Sequence, residues 1–305
     1  MTTSPYVPRR AARSLQVPVR GLRCHVLAWG EPSAAQVPLV MAHGWMDVAA
    51  SFQFVVDAFA RERPVIAFDW RGFGRSDPGG SDSYWFPDYL ADLDALLDAP
   101  ELGLAGRAVD LLGHSMGGNV AMLYAGVRPQ RVRRLVNLEG FGMPRTAPEL
   151  APRQYEKWLD QLREPARLKP YDDLAGVAAR LRETNPLLSP HKAAWLATHW
   201  AAPTGDGRWA LRADPAHKHV NPVLYRVEEV LACWQRITAP LLWVDGDRTD
   251  VAKWWGHRYP RSEFDARLAL VPQVERCTLS PAGHMLHHDQ PEALAARLEA
   301  FLDRP

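Results

Sequence analysis

The chain has 305 residues and a formal net charge of +1, and 47% of its residues are hydrophobic. This length is sufficient for one large buried core, and the near-zero charge removes the electrostatic basis for binding nucleic acid or an anionic membrane. No apolar run is long enough to span a bilayer, and no apolar signal segment follows the arginines near the N-terminus. Three widely spaced cysteines predict free thiols. Together these features predict a cytoplasmic protein.

The first predicted elements form the beginning of a mixed sheet. Alternating apolar and polar residues over 15–19 and 22–29 predict an antiparallel hairpin. Apolar runs at 37–42 and 64–68 predict buried strands, and apolar residues at helical spacing predict a helix over 84–97.

The segment around Ser115 carries the strongest functional signal. Residues 113–117 form a G-x-S-x-G motif, and the apolar run at 109–112 predicts a buried strand before it. Small and apolar residues predict a helix over Met116–Val127. A strand that turns directly into a helix strains the residue at its apex, and flanking glycines make room for it. The pattern therefore predicts a nucleophile elbow with Ser115 as the nucleophile.

A serine nucleophile needs a histidine that accepts its proton and a carboxylate that orients the histidine. In the fold that uses this elbow, Asp or Glu and then His follow the serine in the chain. The apolar run at 240–244 predicts a strand that ends in an aspartate-rich turn, 245–250. His284 follows a last predicted strand at 277–280 and precedes a helix predicted from near Gln290 to Phe301. We therefore predict His284 as the general base.

An oxyanion hole requires two backbone N–H donors. One is expected from Met116, the residue after the nucleophile, and the other from Trp45, which follows the strand predicted at 37–42. Trp45 is also a predicted wall of the substrate pocket. His43 is expected either to contact the substrate or to brace the oxyanion loop through hydrogen bonds.

A change in composition divides the chain. The strand predicted at 134–138 ends at Glu139, and the next predicted core strand begins only near residue 240. Between them, frequent prolines separate short amphipathic helices that are rich in Trp and Tyr. We therefore predict a core formed by residues 1–140 and 238–305, interrupted by an insertion at 141–237.

These motifs, in this order and spacing, resemble the α/β-hydrolase superfamily over nearly the whole chain. The segment His43-Gly44-Trp45-Met46-Asp47 is most similar to its serine-hydrolase-like branch. The resemblance implies an α/β fold with a mostly parallel central sheet flanked by helices, and makes 141–237 a helical cap. In this family the acid often lies a few residues after the glycine of the turn at 245–250, which favours Asp250 over Asp247. Glu139 is the rival, because some relatives use that position.

The resemblance implies a carboxylesterase-like serine hydrolase with a Ser115, His284 and Asp250 triad, acting through an acyl-enzyme on a small to medium apolar substrate. It implies no organic cofactor and no metal, and His287 and His288 are interpreted as polar residues that flank a helix. A small molecule is the expected partner, and the oligomeric state is left open. The alternatives are a carbon–carbon bond hydrolase with the same triad and a ligand-sensing receptor of this fold with little turnover.

Overall fold

The computed structural model describes residues 5–31, 36–164 and 166–304. In these residues most strands join a single eight-stranded sheet, and two short ones form a separate hairpin. The strands are β1 (Arg13–Val19), β2 (Leu22–Trp29), β3 (Leu39–Ala42), β4 (Val65–Phe68), β5 (Val109–His114), β6 (Val132–Leu138), β7 (Ala201–Pro203), β8 (Trp209–Leu211), β9 (Leu241–Gly246) and β10 (Val274–Leu279). Each strand predicted from the sequence is present, with ends shifted by a few residues.

The order of strands in the large sheet is β1-β2-β4-β3-β5-β6-β9-β10. The β1–β2 and β2–β4 pairs are antiparallel, and all the others are parallel. Strands β3, β4, β5 and β9 are buried along their whole length, since helices cover both faces of the sheet. This is the mostly parallel α/β architecture that the sequence predicts, and it brings the ends of β5, β6 and β9 to one edge.

Helices pack on both faces of the sheet and form the insertion. They are α1 (Gln53–Ala58), α2 (Phe86–Leu97), α3 (Met116–Val127), α4 (Ala151–Arg163), α5 (Leu174–Thr184), α6 (Pro190–Trp200), α7 (Val227–Trp234), α8 (Ala252–Trp255), α9 (Arg261–Leu268), α10 (Leu286–Asp289) and α11 (Pro291–Leu302). Alternate strand residues enter the two cores. In β3, Val40 packs with α2 and α3, whereas Met41 packs on the opposite face with α1 and α11.

The insertion between β6 and β9 contains α4 to α7 and the β7–β8 hairpin. Backbone hydrogen bonds join it to the loop after β4: Gly74 N–H donates to the Arg212 carbonyl and Asp214 N–H donates to the Gly72 carbonyl, at 2.8 and 2.7 Å. Its last helix, α7, packs so closely on α3 that a Cβ at Gly126 would overlap the backbone of Cys233. The cap boundaries at 141 and 237 stay a prediction.

Two predictions about the chain's environment have different outcomes. Cys24, Cys233 and Cys277 form no disulfide, as predicted from their spacing. Within the described ranges, every helix is too short or too polar to cross a membrane. The cytoplasmic location stays a prediction.

Candidate active site

Ser115 lies at the sharp turn between β5 and α3, with φ +52° and ψ −116°. Few non-glycine residues adopt a positive φ, and such strain is found at functional sites. The flanking glycines permit the turn by close approach: a Cβ at Gly113 would overlap the Gly117 backbone, and one at Gly117 would overlap the Ala42 and His43 carbonyls. The geometry is that of the predicted elbow.

His284 lies on the loop between β10 and α10 and hydrogen bonds through both ring nitrogens. Its Nε2 is 3.0 Å from Ser115 Oγ, and its Nδ1 is 2.6 Å from Glu139 Oε2. With Nδ1 protonated toward the carboxylate, Nε2 is free to accept the serine proton. His114 Nε2 lies 2.8 Å from the His284 carbonyl oxygen and holds the loop, and the Trp254 ring packs edge-on at 4.6 Å. Hydrogen bonds thus connect the Ser115 hydroxyl through the His284 ring to the Glu139 carboxylate.

Glu139 is a rigidly held carboxylate directly after β6. It is 1% exposed, and its backbone φ is +54°. Oε1 accepts a hydrogen bond of 2.7 Å from the Gly246 N–H at the end of β9, which leaves Oε2 for His284. A buried carboxylate with both oxygens engaged is well placed to orient an imidazole.

The prediction that Asp250 orients His284 is wrong, because His284 Nδ1 hydrogen bonds with Glu139 instead. Asp250 is exposed after β9, and its Oδ1 accepts a hydrogen bond of 3.0 Å from the N–H of Ala252, the first residue of α8. Asp247 is also occupied elsewhere, by Ser280 Oγ and the Ala282 N–H. The rival, Glu139, holds the position. The sequence signal that favours Glu139 is its position as a charged residue directly after an apolar strand, β6. Because β6 pairs in parallel with β5, the strand before Ser115, the residue after β6 lies beside Ser115.

The loop after β3 packs directly against the serine. A Cβ at Gly44 would stand 3.2 Å from Ser115 Cβ, so the backbone approaches the nucleophile closely. Of the two roles expected for His43, only bracing fits the structure. Its ring is fully buried, with Nδ1 2.7 Å from the Gly44 carbonyl oxygen and Nε2 accepting the Trp70 N–H at 3.0 Å. Burial lowers the pKa of His43, which agrees with a neutral ring that accepts at Nε2. It does not line the substrate pocket.

A cavity of about 860 Å³ opens over Ser115 and His284. Trp45 lines it, as predicted, and is 53% exposed. Among the Trp and Tyr residues of the insertion that the structure describes, Tyr225 lines the cavity. The other aromatic walls come from outside the insertion, apart from Phe141 at its start: Tyr84, Trp85, Phe86, Tyr89, Phe141, Trp254 and Trp255. The core and the insertion thus both build the pocket: most of its Trp, Tyr and Phe walls come from the core, and segments within 141–154 and 217–225 of the insertion line much of the rest.

His287 and His288 precede α11, as the interpretation of helix-flanking residues has it, but they are buried and take part in a polar cluster that this interpretation does not include. They are 0% and 3% exposed and lie on α10, close to the buried carboxylate of Asp47. The potential ligand atoms of these three residues all lie within 4.8 Å of one another, so this group has the residue types and spacing of a metal site. The carboxylate comes from a loop far away in the sequence, and the local pattern therefore gave no sign of it.

Charges in this buried group depart from their ordinary behaviour. Burial alone would raise the pKa of Asp47, but the nearby His287 and His288 imidazoles hold it below the usual range. Burial, and then the neighbouring His287 and His284, hold the pKa of His114 well below its usual value. This shift favours the neutral form of the His114 ring, which lies next to the loop that carries His284.

Comparison with known proteins supports the fold described above. The family described as alpha/beta hydrolase fold matches residues 37–291. A serine hydrolase-like protein of Danio rerio is 27% identical over 96% of this chain and 89% of the relative. A 2-hydroxymuconate semialdehyde hydrolase of Pseudomonas sp. (strain CF600) is 36% identical over 36% of this chain and 39% of the relative. The solved thioesterase domain from the curacin biosynthetic pathway has a TM-score of 0.81 and 25% identity, covering 95% of this chain and 99% of that domain.

Proposed function

Because the chain belongs to the α/β-hydrolase fold family, we propose that it is a serine hydrolase that cleaves an ester-like bond through an acyl-enzyme. The observation that carries the proposal is the hydrogen-bonded series Ser115 Oγ, His284 and Glu139, with distances of 3.0 and 2.6 Å. These are the lengths at which a base activates a hydroxyl and a carboxylate orients the base. Glu139 takes the role that the sequence analysis assigned to Asp250.

In the first half-reaction, Ser115 Oγ attacks the substrate carbonyl carbon while its proton passes to His284 Nε2. The imidazolium then gives that proton to the leaving alcohol as the carbon–oxygen bond breaks, and an acyl-serine remains. In the second half-reaction, His284 Nε2 takes a proton from water as the water oxygen attacks the acyl carbon. The bond from that carbon to Ser115 Oγ then breaks, His284 returns the proton to Oγ, and the acid is released. Glu139 stays ionised throughout and stabilises the imidazolium.

The backbone N–H groups of Trp45 and Met116 are the proposed oxyanion donors. Met116 is the first residue of α3, where N–H groups have no partner within the helix. The loop that carries Trp45 approaches Ser115 through Gly44. A donor of this kind lowers the barrier by about 3 kcal/mol, because it faces charge that develops only in the transition state.

The cavity supports a small to medium apolar acyl or alcohol group. Its volume of about 860 Å³ exceeds what an acetyl ester fills, and its walls are mainly aromatic and aliphatic. We therefore propose carboxylic esters with a medium-length apolar chain as the preferred substrates.

A carbon–carbon bond hydrolase is the second candidate. It is supported by the similarity of part of the chain to a 2-hydroxymuconate semialdehyde hydrolase. Both reactions use a hydroxyl, a base and a carboxylate, so the triad does not separate them. Hydrolysis of a vinylogous diketone without ester turnover would favour this candidate.

The deciding experiment combines covalent labelling with turnover. Intact-protein mass spectrometry after fluorophosphonate treatment should show a single adduct that disappears in Ser115→Ala and persists in the control Ser262→Ala, which changes an exposed serine on α9. A panel of p-nitrophenyl esters from acetate to octanoate should show repeated turnover. An adduct without turnover of esters or diketones would favour a ligand-sensing receptor, and no adduct on folded protein would refute an activated serine.

A further inference from the structure

A second group of chemically active side chains lies beneath the catalytic loops. Asp47 ends the loop that carries Trp45, and His287 and His288 lie on α10, a few residues after His284. Asp47 and His288 are each 3% exposed, and His287 is fully buried. The proposed acyl-transfer mechanism uses none of the three.

Several polar atoms of this group have no hydrogen-bond partner in the described part of the chain: Asp47 Oδ2, both ring nitrogens of His287 and Nε2 of His288. The shortest approach between Asp47 and His287 is 3.7 Å, from Oδ2 to Nε2, which is beyond hydrogen-bonding distance. Oδ1 of Asp47 is satisfied by the Trp200 indole at 3.0 Å and by Ser51. Unpaired polar atoms at this depth are costly, and each of the three residues offers one potential metal-ligand atom close to those of the other two.

We propose that Asp47, His287 and His288 bind a divalent transition-metal ion of the Zn²⁺ type, independently of the hydrolase activity. Their ligand atoms lie within 4.8 Å of one another. Bonds of about 2.0–2.2 Å to a central ion require ligand atoms roughly 3.5 Å apart. The proposed site therefore requires the ligand atoms to close by about 1 Å on metal binding, through rotation of the two imidazole rings about their side-chain bonds. Water would complete the tetrahedron in the fourth position.

The ligand set selects the class of ion. Two imidazoles with one carboxylate match Zn²⁺, Co²⁺ and Ni²⁺, whereas Ca²⁺ and Mg²⁺ require six or more oxygen ligands. The single carboxylate offsets part of the ion's charge in surroundings that include the Phe52 and Phe54 rings.

A bound ion would connect two loops that the proposed reaction depends on. Asp47 belongs to the loop of the oxyanion donor, and α10 directly follows the loop of the general base. The His114 ring lies between the two sites, 4.8 Å from the His284 ring and 4.4 Å from the His287 ring. The ion would therefore act as a clamp that stabilises both loops.

Metal analysis of the full chain tests the proposal. The protein is expressed in medium supplemented with Zn²⁺ or Co²⁺, treated with EDTA to strip surface ions, and measured by inductively coupled plasma mass spectrometry. We expect stoichiometric metal, and ligand-field bands of tetrahedral Co²⁺ in the visible spectrum. Asp47→Asn and His288→Gln should each lower the metal content at least about tenfold. The control His257→Gln removes an exposed histidine and should leave it unchanged.

Two further measurements keep the outcome decisive. X-ray absorption of the Zn²⁺-loaded wild-type protein should show two imidazole ligands with bonds of about 2.0 Å, which does not depend on any variant folding. Ser115→Ala should retain the metal, which separates this site from the proposed catalysis. Folded wild-type protein without metal after both loadings would overturn the proposal. So would absorption data without two imidazoles, or folded Asp47→Asn and His288→Gln variants with wild-type metal content.

Discussion

Ser115 and Glu139 hold equivalent places at the ends of two neighbouring parallel strands. His114 pairs with Leu138 in the β5–β6 register. Ser115 directly follows His114, and Glu139 directly follows Leu138. The Ser115 N–H donates to the Leu138 carbonyl at 2.8 Å, and both residues have a positive φ, +52° and +54°. Strained residues of this kind cluster at functional sites, so two of them side by side at one sheet edge support an active site there.

Replacing Glu139, the carboxylate of the proposed triad, should strongly slow the proposed ester hydrolysis. In Glu139→Gln the amide does not stabilise the imidazolium, so we expect kcat to fall by about a hundredfold to ten-thousandfold. Steady-state kinetics with a p-nitrophenyl ester measure this. Asp250→Asn is the matched control and should remain near wild type, because the Asp250 carboxylate is exposed and accepts a hydrogen bond from the Ala252 N–H rather than from His284. The reverse ranking of the two variants would restore Asp250 as the acid.

Adding one methyl group beside the elbow should destabilise the fold. In Gly117→Ala the new Cβ overlaps the Ala42 and His43 carbonyls, both backbone atoms of the packed sheet edge. We expect a loss of about 3 kcal/mol in the free energy of unfolding, measured by urea denaturation. Gly205→Ala, where a Cβ meets no neighbouring atom, should leave stability nearly unchanged. Equal stability of the two variants would contradict the close packing at Gly117.

Acid should weaken the contact between the insertion and the core through His217. This ring stacks between Phe73 and Tyr84 at 3.7 and 3.8 Å. Its Nε2 and Nδ1 lie 3.2 Å from the Arg71 carbonyl and the Tyr89 hydroxyl, a pattern that suits the neutral ring. Burial lowers the pKa of His217 to about 4.

Because the pKa is near 6.5 in the unfolded chain, the unfolded state binds the proton first, and stability falls as the pH drops from about 6.5 to about 4. The loss should approach about 3 kcal/mol, at roughly 1.4 kcal/mol per pH unit. Urea unfolding at about pH 7.5 and about pH 4.5 should show a smaller loss in His217→Gln than in the wild type. If the unfolding free energy changed with pH equally in the wild type and in His217→Gln, His217 would have the same pKa in the folded and unfolded states, which would contradict the prediction.

Filling the cavity should alter chain-length preference. Met143 lines the cavity over Ser115, and Met143→Trp places a larger side chain there. We expect kcat/KM for p-nitrophenyl octanoate to fall at least about tenfold, with a much smaller change for the acetate, since only the long chain needs the lost volume. Leu159→Trp on α4 is the control, because Leu159 is exposed and does not line this cavity. An equal effect on both esters would mean that the chain binds elsewhere.

The sequence alone determined the elements, including the strand–turn–helix unit that carries the proposed nucleophile. Strand and helix periodicity is a property of consecutive residues, so the β5–α3 unit around Ser115 and the last strand and helix around His284 were predicted correctly in kind. Only the tertiary structure decided which carboxylate meets the histidine. Glu139 and His284 are separated by 145 positions, and their contact depends on β6 lying between β5 and β9. The Asp47, His287 and His288 group was hidden for the same reason: burial and proximity arise when distant segments pack, and local sequence patterns do not record that packing.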